Sequence, residues 1–229
     1  MDTSVMRHPF QAFADATTIA NDLEHAVAAA RNLGVKAGDM YAFVCSPDLI
    51  PAGYLGERHL PTSSVFEQTM DRLASIGTGD DSTLFFATNH GVQDGLLTSA
   101  HVDEFEPEAP RLLTPEALGQ AMNRLPGAQV LIIAACYAGV FLPIGQEDRR
   151  LVLAACGHDE IYYAGGVKAW AAFPAELFRA WCGLNLDGGE CPDRMDPGDA
   201  FDFAERRVMS GEVGRTIKPH RAGSVRWKK

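Results

Sequence analysis

Residues 129–139 read QVLIIAACYAG, an apolar run that ends in a cysteine and is followed by small residues. An uninterrupted run of this kind, rich in Ile, Val and Leu, is typical of a parallel strand that is covered on both faces. A second run, LFFAT at residues 84–88, ends in Asn-His-Gly, with His90 46 positions before Cys136. Because the carboxyl ends of parallel strands meet at one sheet edge, the sequence predicts that this thiol and this imidazole lie together.

Helical and extended patterns alternate along the chain. Strands are predicted at residues 40–45, 84–88, 129–135 and 151–155. Helices are predicted at residues 12–33, 62–76, 114–125, 167–182 and 200–209, with a cleft-bordering loop at 46–60. The predicted helix caps are Thr62 or Ser63, and Thr114 followed by Pro115 in the first turn. The alternation predicts an α/β fold with a mostly parallel sheet and helices on both faces.

The composition fits one folded domain over residues 1–229. Hydrophobic residues make up 46% and charged residues 22%, which is ordinary for a globular chain. Within this domain, residues 185–229 are predicted to form an irregular acidic loop, a short helix and a basic tail. The net charge of -10 argues against a nucleic acid as the main ligand. The last 15 residues do carry a group of cations, which we interpret as solvated: Arg215, Lys218, Arg221, Arg226, Lys228 and Lys229.

The cysteines and the apolar runs indicate the cellular compartment in which the protein is expected. Five widely spaced cysteines form no disulfide framework and are typical of reduced thiols. No basic stretch followed by an apolar segment opens the chain, and no run of about 18 apolar residues occurs. We therefore expect a cytoplasmic protein that does not enter a membrane.

Two cysteines compete as the nucleophile, since LIIAAC at residues 131–136 and LVLAAC at 151–156 are near copies. Small residues after Cys136 favour close approach of a substrate carbonyl. Cys156 is followed by the bulky polar residues His158, Asp159 and Glu160. The pattern favours Cys136, while Cys156 and a purely structural role for both thiols stay open.

Metal binding has two weak candidates, and we expect neither a metal nor another cofactor. Cys156 and His158 form a single pair without a second pair at zinc spacing. A series of acids recurs every third residue through a Gly- and Pro-rich stretch without the EF-hand pattern: Asp187, Glu190, Asp193, Asp196 and Asp199. A loop rich in acids is the favoured explanation of that series.

The order of these elements resembles the legumain-type cysteine peptidases, which belong to the caspase-fold group. The similarity rests on Asn-His-Gly after one strand, AACYAGVF at residues 134–141 after another, and LVLAACGHDEIYYAG at residues 151–165. It covers about a third of the chain. The resemblance implies a three-layer caspase-like fold and the activity of a cysteine endopeptidase.

In that reading, His90 and Cys136 are the catalytic dyad. His90 promotes formation of the Cys136 thiolate and protonates the leaving amine, and no third residue is required. The backbone N–H groups of Gly91 and Cys136 are the expected oxyanion hole. The substrate is a protein or peptide.

The resemblance also implies a pocket that selects Asn or Asp before the cut, and here the chain departs from the family. Tyr137 replaces a Glu of the family, and the family's later pocket acid has no counterpart here. We therefore expect the enzyme to cleave after a small polar or charged residue of the substrate, or to have an altered specificity. Residues expected to contact the substrate are Arg7, Asn89, Tyr137, Ile161 and Tyr162.

The family's first strand has no full counterpart in residues 1–6, MDTSVM, which are short and polar. An uncovered sheet edge invites pairing. We therefore expect a homodimer or a partner chain that covers the edge.

Two other functions remain open beside the peptidase. A catalytically silent caspase-fold binding module fits the altered pocket residues. An unrelated α/β acyl-transfer enzyme would use Cys136 on another substrate.

Overall fold

The structure, a computed structural model, describes residues 9–44, 46–98, 112–162, 171–184, 193–210 and 218–225, and only the backbone of residues 9–16. The helices are α1 (Pro9–Asn32), α2 (Ser63–Ile76), α3 (Pro115–Arg124), α4 (Ala172–Cys182) and α5 (Pro197–Met209). The strands are β1 (Tyr41–Phe43), β2 (Glu57–His59), β3 (Ser82–Thr88), β4 (Gly91–Val92), β5 (Gly95–Leu97), β6 (Leu112–Leu113), β7 (Ala128–Ala134), β8 (Arg150–Ala154) and β9 (His220–Gly223). A 3-10 helix, Ala138–Gln146, joins β7 to β8. None of the helices in the described ranges is both long and apolar enough to cross a membrane.

A four-stranded central sheet has the strand order β3-β7-β8-β9. β3, β7 and β8 run parallel, and β9 is antiparallel to β8. Two smaller sheets accompany it: parallel β1 and β2, and antiparallel β4, β5 and β6. The predicted α/β class with mostly parallel strands in the main sheet is confirmed.

The central sheet has an apolar core on each face. Val130 and Ile132 of β7 belong to the core built with α1, α4 and α5. Leu131 and Ile133 point the other way, into the core built with α2, α3 and the 3-10 helix. Because successive residues of a strand face opposite sides, a strand covered on both sides must be apolar throughout. The predicted helices on both faces are thus present.

Two helix starts follow the predicted capping chemistry. The Thr62 side chain accepts a hydrogen bond from the Val65 N–H at 3.4 Å, so Thr62 rather than Ser63 caps α2. The Thr114 hydroxyl accepts from the Ala117 N–H at 3.1 Å, and Pro115 opens α3. These side chains satisfy backbone donors that a helix leaves unpaired at its first turn.

Several boundaries differ from the predictions. The predicted strand 40–45 shortens to β1, the predicted loop 46–60 contains β2, and Cys45 lies outside the described residues. Helix α5 begins at Pro197, before the predicted residue 200, and α4 begins at Ala172, with residues 167–170 outside the described ranges. Short strands are defined by their pairing partners, and so they leave little periodic signal in the sequence.

Residues 220–223 of the predicted basic tail form β9, a strand that the sequence does not predict, while the Arg221 side chain stays exposed. Arg221 lies over the Phe201 ring of α5 at 5.4 Å, and its Nη1 donates to the Gly198 carbonyl at 2.9 Å. A guanidinium can stack on a ring and donate hydrogen bonds at once, so this cation holds a sheet edge. A count of charges along the sequence does not reveal that role.

The amino-terminal end of the central sheet holds a buried polar cluster. Arg150, 1% exposed, donates from Nε to the Gln129 Oε1 at 2.7 Å and from Nη2 to the Asn123 Oδ1 at 2.7 Å. Gln129 donates in turn to the carbonyls of Met122 and Leu125. These carbonyls end α3, where a cation and extra donors are favourable. The cluster stabilises the end of the sheet opposite His90 and Cys136.

Candidate active site

His90 and Cys136 lie beyond the carboxyl ends of neighbouring parallel strands. The last pair in the register of β3 and β7 joins Thr88 to Ala134. His90 and Cys136 each follow the last pair of their strand by two positions. The structure therefore brings both to the same sheet edge, as the sequence predicts.

Gly91 packs directly against the backbone of Cys136. A β-carbon at position 91 would lie 1.9 Å from the Cys136 carbonyl oxygen and 2.9 Å from its carbonyl carbon. No side chain fits that space, so glycine is required for the hairpin after His90 to approach the cysteine. This contact fixes the segment that carries the imidazole against the segment that carries the thiol.

The chain reverses sharply after Cys136. Tyr137 has φ 57° and ψ 19°, a left-handed conformation that is uncommon for a non-glycine residue. Its N–H donates to the Glu160 carbonyl at 2.8 Å. Two residues on, a β-carbon at Gly139 would lie 2.4 Å from the His158 nitrogen. The turn that presents the thiol is thus held against the chain leaving β8.

Asn89 fixes the backbone of His90. Its Oδ1 accepts from the His90 N–H at 2.8 Å, and its Nδ2 donates to the Leu97 carbonyl at 2.6 Å. Both ends of the side-chain amide are therefore engaged with the hairpin. The substrate contact that the resemblance implies for Asn89 stays a prediction, whereas its role in holding the histidine segment is evident.

The Gly91 N–H is directed away from the hairpin. The Leu97 N–H donates to the His90 carbonyl at 3.0 Å, and the next pair in the register is Gly91 with Leu96. In an antiparallel ladder, bonded and non-bonded pairs alternate, so the Gly91 N–H does not point at β5. The Tyr137 N–H, by contrast, is occupied by Glu160. This arrangement suits the oxyanion role expected of Gly91.

Cys136 and Cys156 differ in access to solvent. Cys136 is half-buried, and its thiol donates to the Tyr162 carbonyl at 3.4 Å. Cys156 is 0% exposed, its thiol lies 3.2 Å from the Ala135 carbonyl, and burial raises its pKa to about 11. A buried, protonated thiol is a poor nucleophile. The comparison favours Cys136 and gives Cys156 a packing role beneath the turn.

The residues expected to form the pocket divide into three groups. Ile161 is 49% exposed and Tyr137 is half-buried, so both have surface that a substrate can contact. Tyr162 packs its ring against both cores, and its hydroxyl accepts from the Phe173 N–H at 3.3 Å, so only its carbonyl is turned to the thiol. Arg7 lies outside the described residues.

Asp22 on α1 is a residue that the sequence analysis did not single out. It is 1% exposed, and its carboxylate accepts from the Thr88 hydroxyl at 3.0 Å and from the Ala171 N–H at 2.9 Å. Burial raises its pKa from 3.8 to about 6, although both donors act in the opposite direction. The signal in the sequence is an acid three residues after Ile19, on the predicted apolar side of α1.

Neither metal candidate gains support in the described residues, where no group of three or more His, Cys, Asp or Glu side chains is arranged to hold an ion. The Asp196 side chain caps α5 by accepting from the Gly198 N–H at 2.9 Å. Cys156 is buried, while the His158 side chain is 77% exposed. Asp187 and Glu190 lie outside the described residues.

The chain was compared with protein-family models and with curated proteins, and no family model and no curated protein matches it. The interpretation of the site therefore depends on its residues and their contacts.

Proposed function

We propose that this chain is a cysteine endopeptidase with a dyad of His90 and Cys136. The observation that carries the proposal is the contact between Gly91 and the Cys136 carbonyl, which fixes the two segments against each other at the carboxyl edge of the sheet. The half-buried state of Cys136 adds support, because a nucleophile must be reached by its substrate. In the proposed fold, the caspase-like one, this edge is where the chemistry takes place.

The reaction divides peptide hydrolysis into two steps. His90 takes the thiol proton, and the Cys136 thiolate attacks the carbonyl carbon of the scissile bond. The Gly91 and Cys136 N–H groups donate to the oxygen that becomes negative. The tetrahedral intermediate collapses, the amine leaves with the proton from His90, and a thioester remains. His90 then takes a proton from water, which attacks the thioester and releases the acid.

The specificity follows from what surrounds the turn. We expect cleavage after a small polar or charged residue, with a preference altered by Tyr137 and by the exposed Ile161. Val92, directly after Gly91, is 36% exposed and adds a second apolar side chain at the same edge. Two apolar groups at the rim favour substrates with apolar residues near the cut.

A binding module without activity is the second candidate, and one observation favours it. The Cys136 thiol donates to the backbone carbonyl of Tyr162, a bond that it must give up before it attacks a substrate. Such a protein would use the same edge to bind a peptide without cleaving it. In this case the two apolar side chains at the rim are binding contacts only.

The outer edge of β3 is where we expect a second protein chain to bind. Among the described residues β3 pairs with β7 alone, and its positions 83–88 are half-buried, whereas β7 is buried from Gln129 onward. An apolar edge strand with unpaired backbone groups is a template for another strand. The proposal includes a second copy or a partner chain at this edge. Light scattering that gives a monomer, fully active alone, contradicts this part.

The experiment that tests the activity is a peptide-library cleavage profile of the wild-type chain beside Cys136→Ala. Cys156→Ala is the matched control, since the two thiols follow near-identical strands. We expect cleavage by the wild type and by Cys156→Ala, and none by Cys136→Ala. No cleavage in any variant, with Cys136 alkylated by iodoacetamide no faster than Cys156, favours the binding module. Turnover of a non-peptide acyl substrate that needs both dyad residues favours the acyl-transfer enzyme.

A further inference from the structure

Asp22 is a buried carboxylate that connects two elements behind the candidate site. One oxygen, Oδ2, accepts from the hydroxyl of Thr88, the last residue of β3. The other, Oδ1, accepts from the N–H of Ala171, the residue before α4. Helix α1 packs on β3 and on α4, so the carboxylate lies where three elements meet.

The first connection leads to the histidine. Thr88 precedes His90 by two residues, and between them Asn89 accepts from the His90 N–H. The Thr88 side chain faces α1, on the side of the sheet that Leu84 and Phe86 share. A bond from Asp22 to Thr88 therefore fixes the end of β3 immediately before the imidazole.

The second connection leads to the cysteine. Helix α4 has no capping side chain of its own at Ala171, and the Tyr162 hydroxyl accepts from the Phe173 N–H in its first turn. The carbonyl of Tyr162 accepts from the Cys136 thiol. Burial raises the pKa of Tyr162 well above its ordinary value, and the charge of Asp22 is the second cause. This effect is expected because the two side chains are neighbours. The carboxylate and this tyrosine together fix α4 behind the thiol.

A carboxylate at position 22 is unfavourable for stability, because burial disfavours its charged form. Two neutral donors stabilise it, and they do not restore an ordinary pKa. Buried acids of this kind gather at functional sites, where position matters more than stability.

We propose that Asp22 is a positioning residue of the candidate active site, which holds the end of β3 and the start of α4 at the spacing that His90 and Cys136 require. The inference rests on the proposed function, since it concerns the reactivity of Cys136. Asp22 does not touch the substrate in this role.

Several titratable groups lie on the elements around Asp22. Tyr162 follows β8, and Cys136 and Cys156 both raise its pKa further. His90 follows β3, and Glu24 and His25 lie on α1 itself, where burial lowers the pKa of His25. On α4, Glu176 pairs with Arg179 and with Arg207 of α5. A pH profile therefore needs the Asp22 variants as references.

The test is the rate of alkylation of Cys136 by iodoacetamide across about pH 5 to 9, read by mass spectrometry on the intact protein. It does not require peptidase activity, so it can fail or succeed independently of the proposed function. Asp22→Asn keeps an acceptor for Ala171 and a polar partner for Thr88. We expect it to stay within about threefold of the wild type at neutral pH and to lose an inflection near pH 6.

Asp22→Leu removes both bonds and keeps the branched shape of the side chain. We expect at least about tenfold slower alkylation with a melting temperature at neutral pH close to that of the wild type, because removal of a buried charge offsets the two donors left unpaired. If Asp22→Leu does not fold, Thr88→Val deletes one of the two bonds, and we expect about threefold slower alkylation. Asp202→Asn, which changes an exposed acid beside Arg221, is the matched control. Alkylation of Asp22→Leu, or of Thr88→Val in its place, at the wild-type rate overturns the proposal.

Discussion

The carbonyl oxygen of Cys136 occupies the place where a side chain at Gly91 would begin, with 1.9 Å between that oxygen and a β-carbon at position 91. The hairpin after the histidine and the turn after the cysteine are therefore in backbone contact. A displacement of either segment moves the other.

The first prediction concerns Gly91→Ala. The added methyl group cannot be accommodated, so β4 must move away from Cys136 and carry the Gly91 N–H with it. We expect a loss of about 1 to 3 kcal/mol in the free energy of unfolding and a fall in kcat of about 100-fold or more. Gly38→Ala is the control, since a methyl group there meets nothing within 4 Å. Equal effects of the two substitutions on kcat contradict the close contact.

The second prediction separates two roles of Asn89. Asn89→Ala removes the acceptor of the His90 N–H and the donor to the Leu97 carbonyl. If Asn89 holds the histidine, kcat falls by about tenfold and KM is nearly unchanged. If it contacts the substrate, as the resemblance implies, KM rises instead. Steady-state kinetics on the best library peptide distinguish these outcomes.

The third prediction is a pH dependence of stability caused by Asp22. Its pKa is raised from 3.8 to about 6 in the folded protein, so the folded state binds the proton more tightly than the unfolded chain does. Stability from this group is fully present below about pH 3.8 and is lost as pH rises through about 6. The rise in the pKa of Asp22 corresponds to about 3 kcal/mol in the free energy of unfolding. Urea unfolding should show Asp22→Asn gaining about this amount over the wild type between about pH 4 and pH 7. Parallel stability curves for the two proteins contradict the raised pKa.

The fourth prediction concerns the polar cluster at the far end of the sheet. Arg150→Met leaves the Gln129 Oε1, the Ile144 carbonyl and the Asn123 Oδ1 without their donor. We expect a loss of about 1 to 3 kcal/mol in the free energy of unfolding, because the buried Gln129 Oε1 stays unpaired. Since the cluster lies at the opposite sheet end from Cys136, the alkylation rate of the folded variant should match the wild type. Arg72→Met, at a more exposed ion pair with Glu57, should cost at most about 1 kcal/mol.

The strands that carry His90 and Cys136 were predictable because their signal is local. The predicted apolar runs lie in strands of seven residues, and the chain order places His90 and Cys136 just past the carboxyl ends of these strands. The caps at Thr62 and Thr114 were predictable for the same reason, since a cap depends on the next three residues. In both cases the chain carries the information within a few positions.

The hairpin after His90 and strand β9 were not predictable in this way. Strand β4 has two residues, and β9 pairs with a strand about 70 positions earlier, so neither leaves a periodic pattern. Asp22 was missed because an acid on a helix ordinarily faces solvent. Its partners, Thr88 and Ala171, are 66 and 149 positions away, and only the folded chain brings them together.

Tyr162 lies beside the Cys136 thiol with its backbone and not with its side chain. The resemblance implies a pocket wall there, and the backbone carbonyl does lie beside the thiol. The residue, however, packs against the cores on both faces of the sheet, and its hydroxyl accepts from the Phe173 N–H. A sequence does not indicate which part of a residue meets the site.

This position of Tyr162 has a consequence for how mutations act on the protein. Tyr162 packs against two apolar clusters that the sheet otherwise separates, and its carbonyl accepts a hydrogen bond from the Cys136 thiol. A cavity opened in either cluster can therefore shift the sulfur by way of a single residue. We expect substitutions of residues that contact Tyr162 to change the reactivity of Cys136 more than substitutions that are merely close to the cysteine.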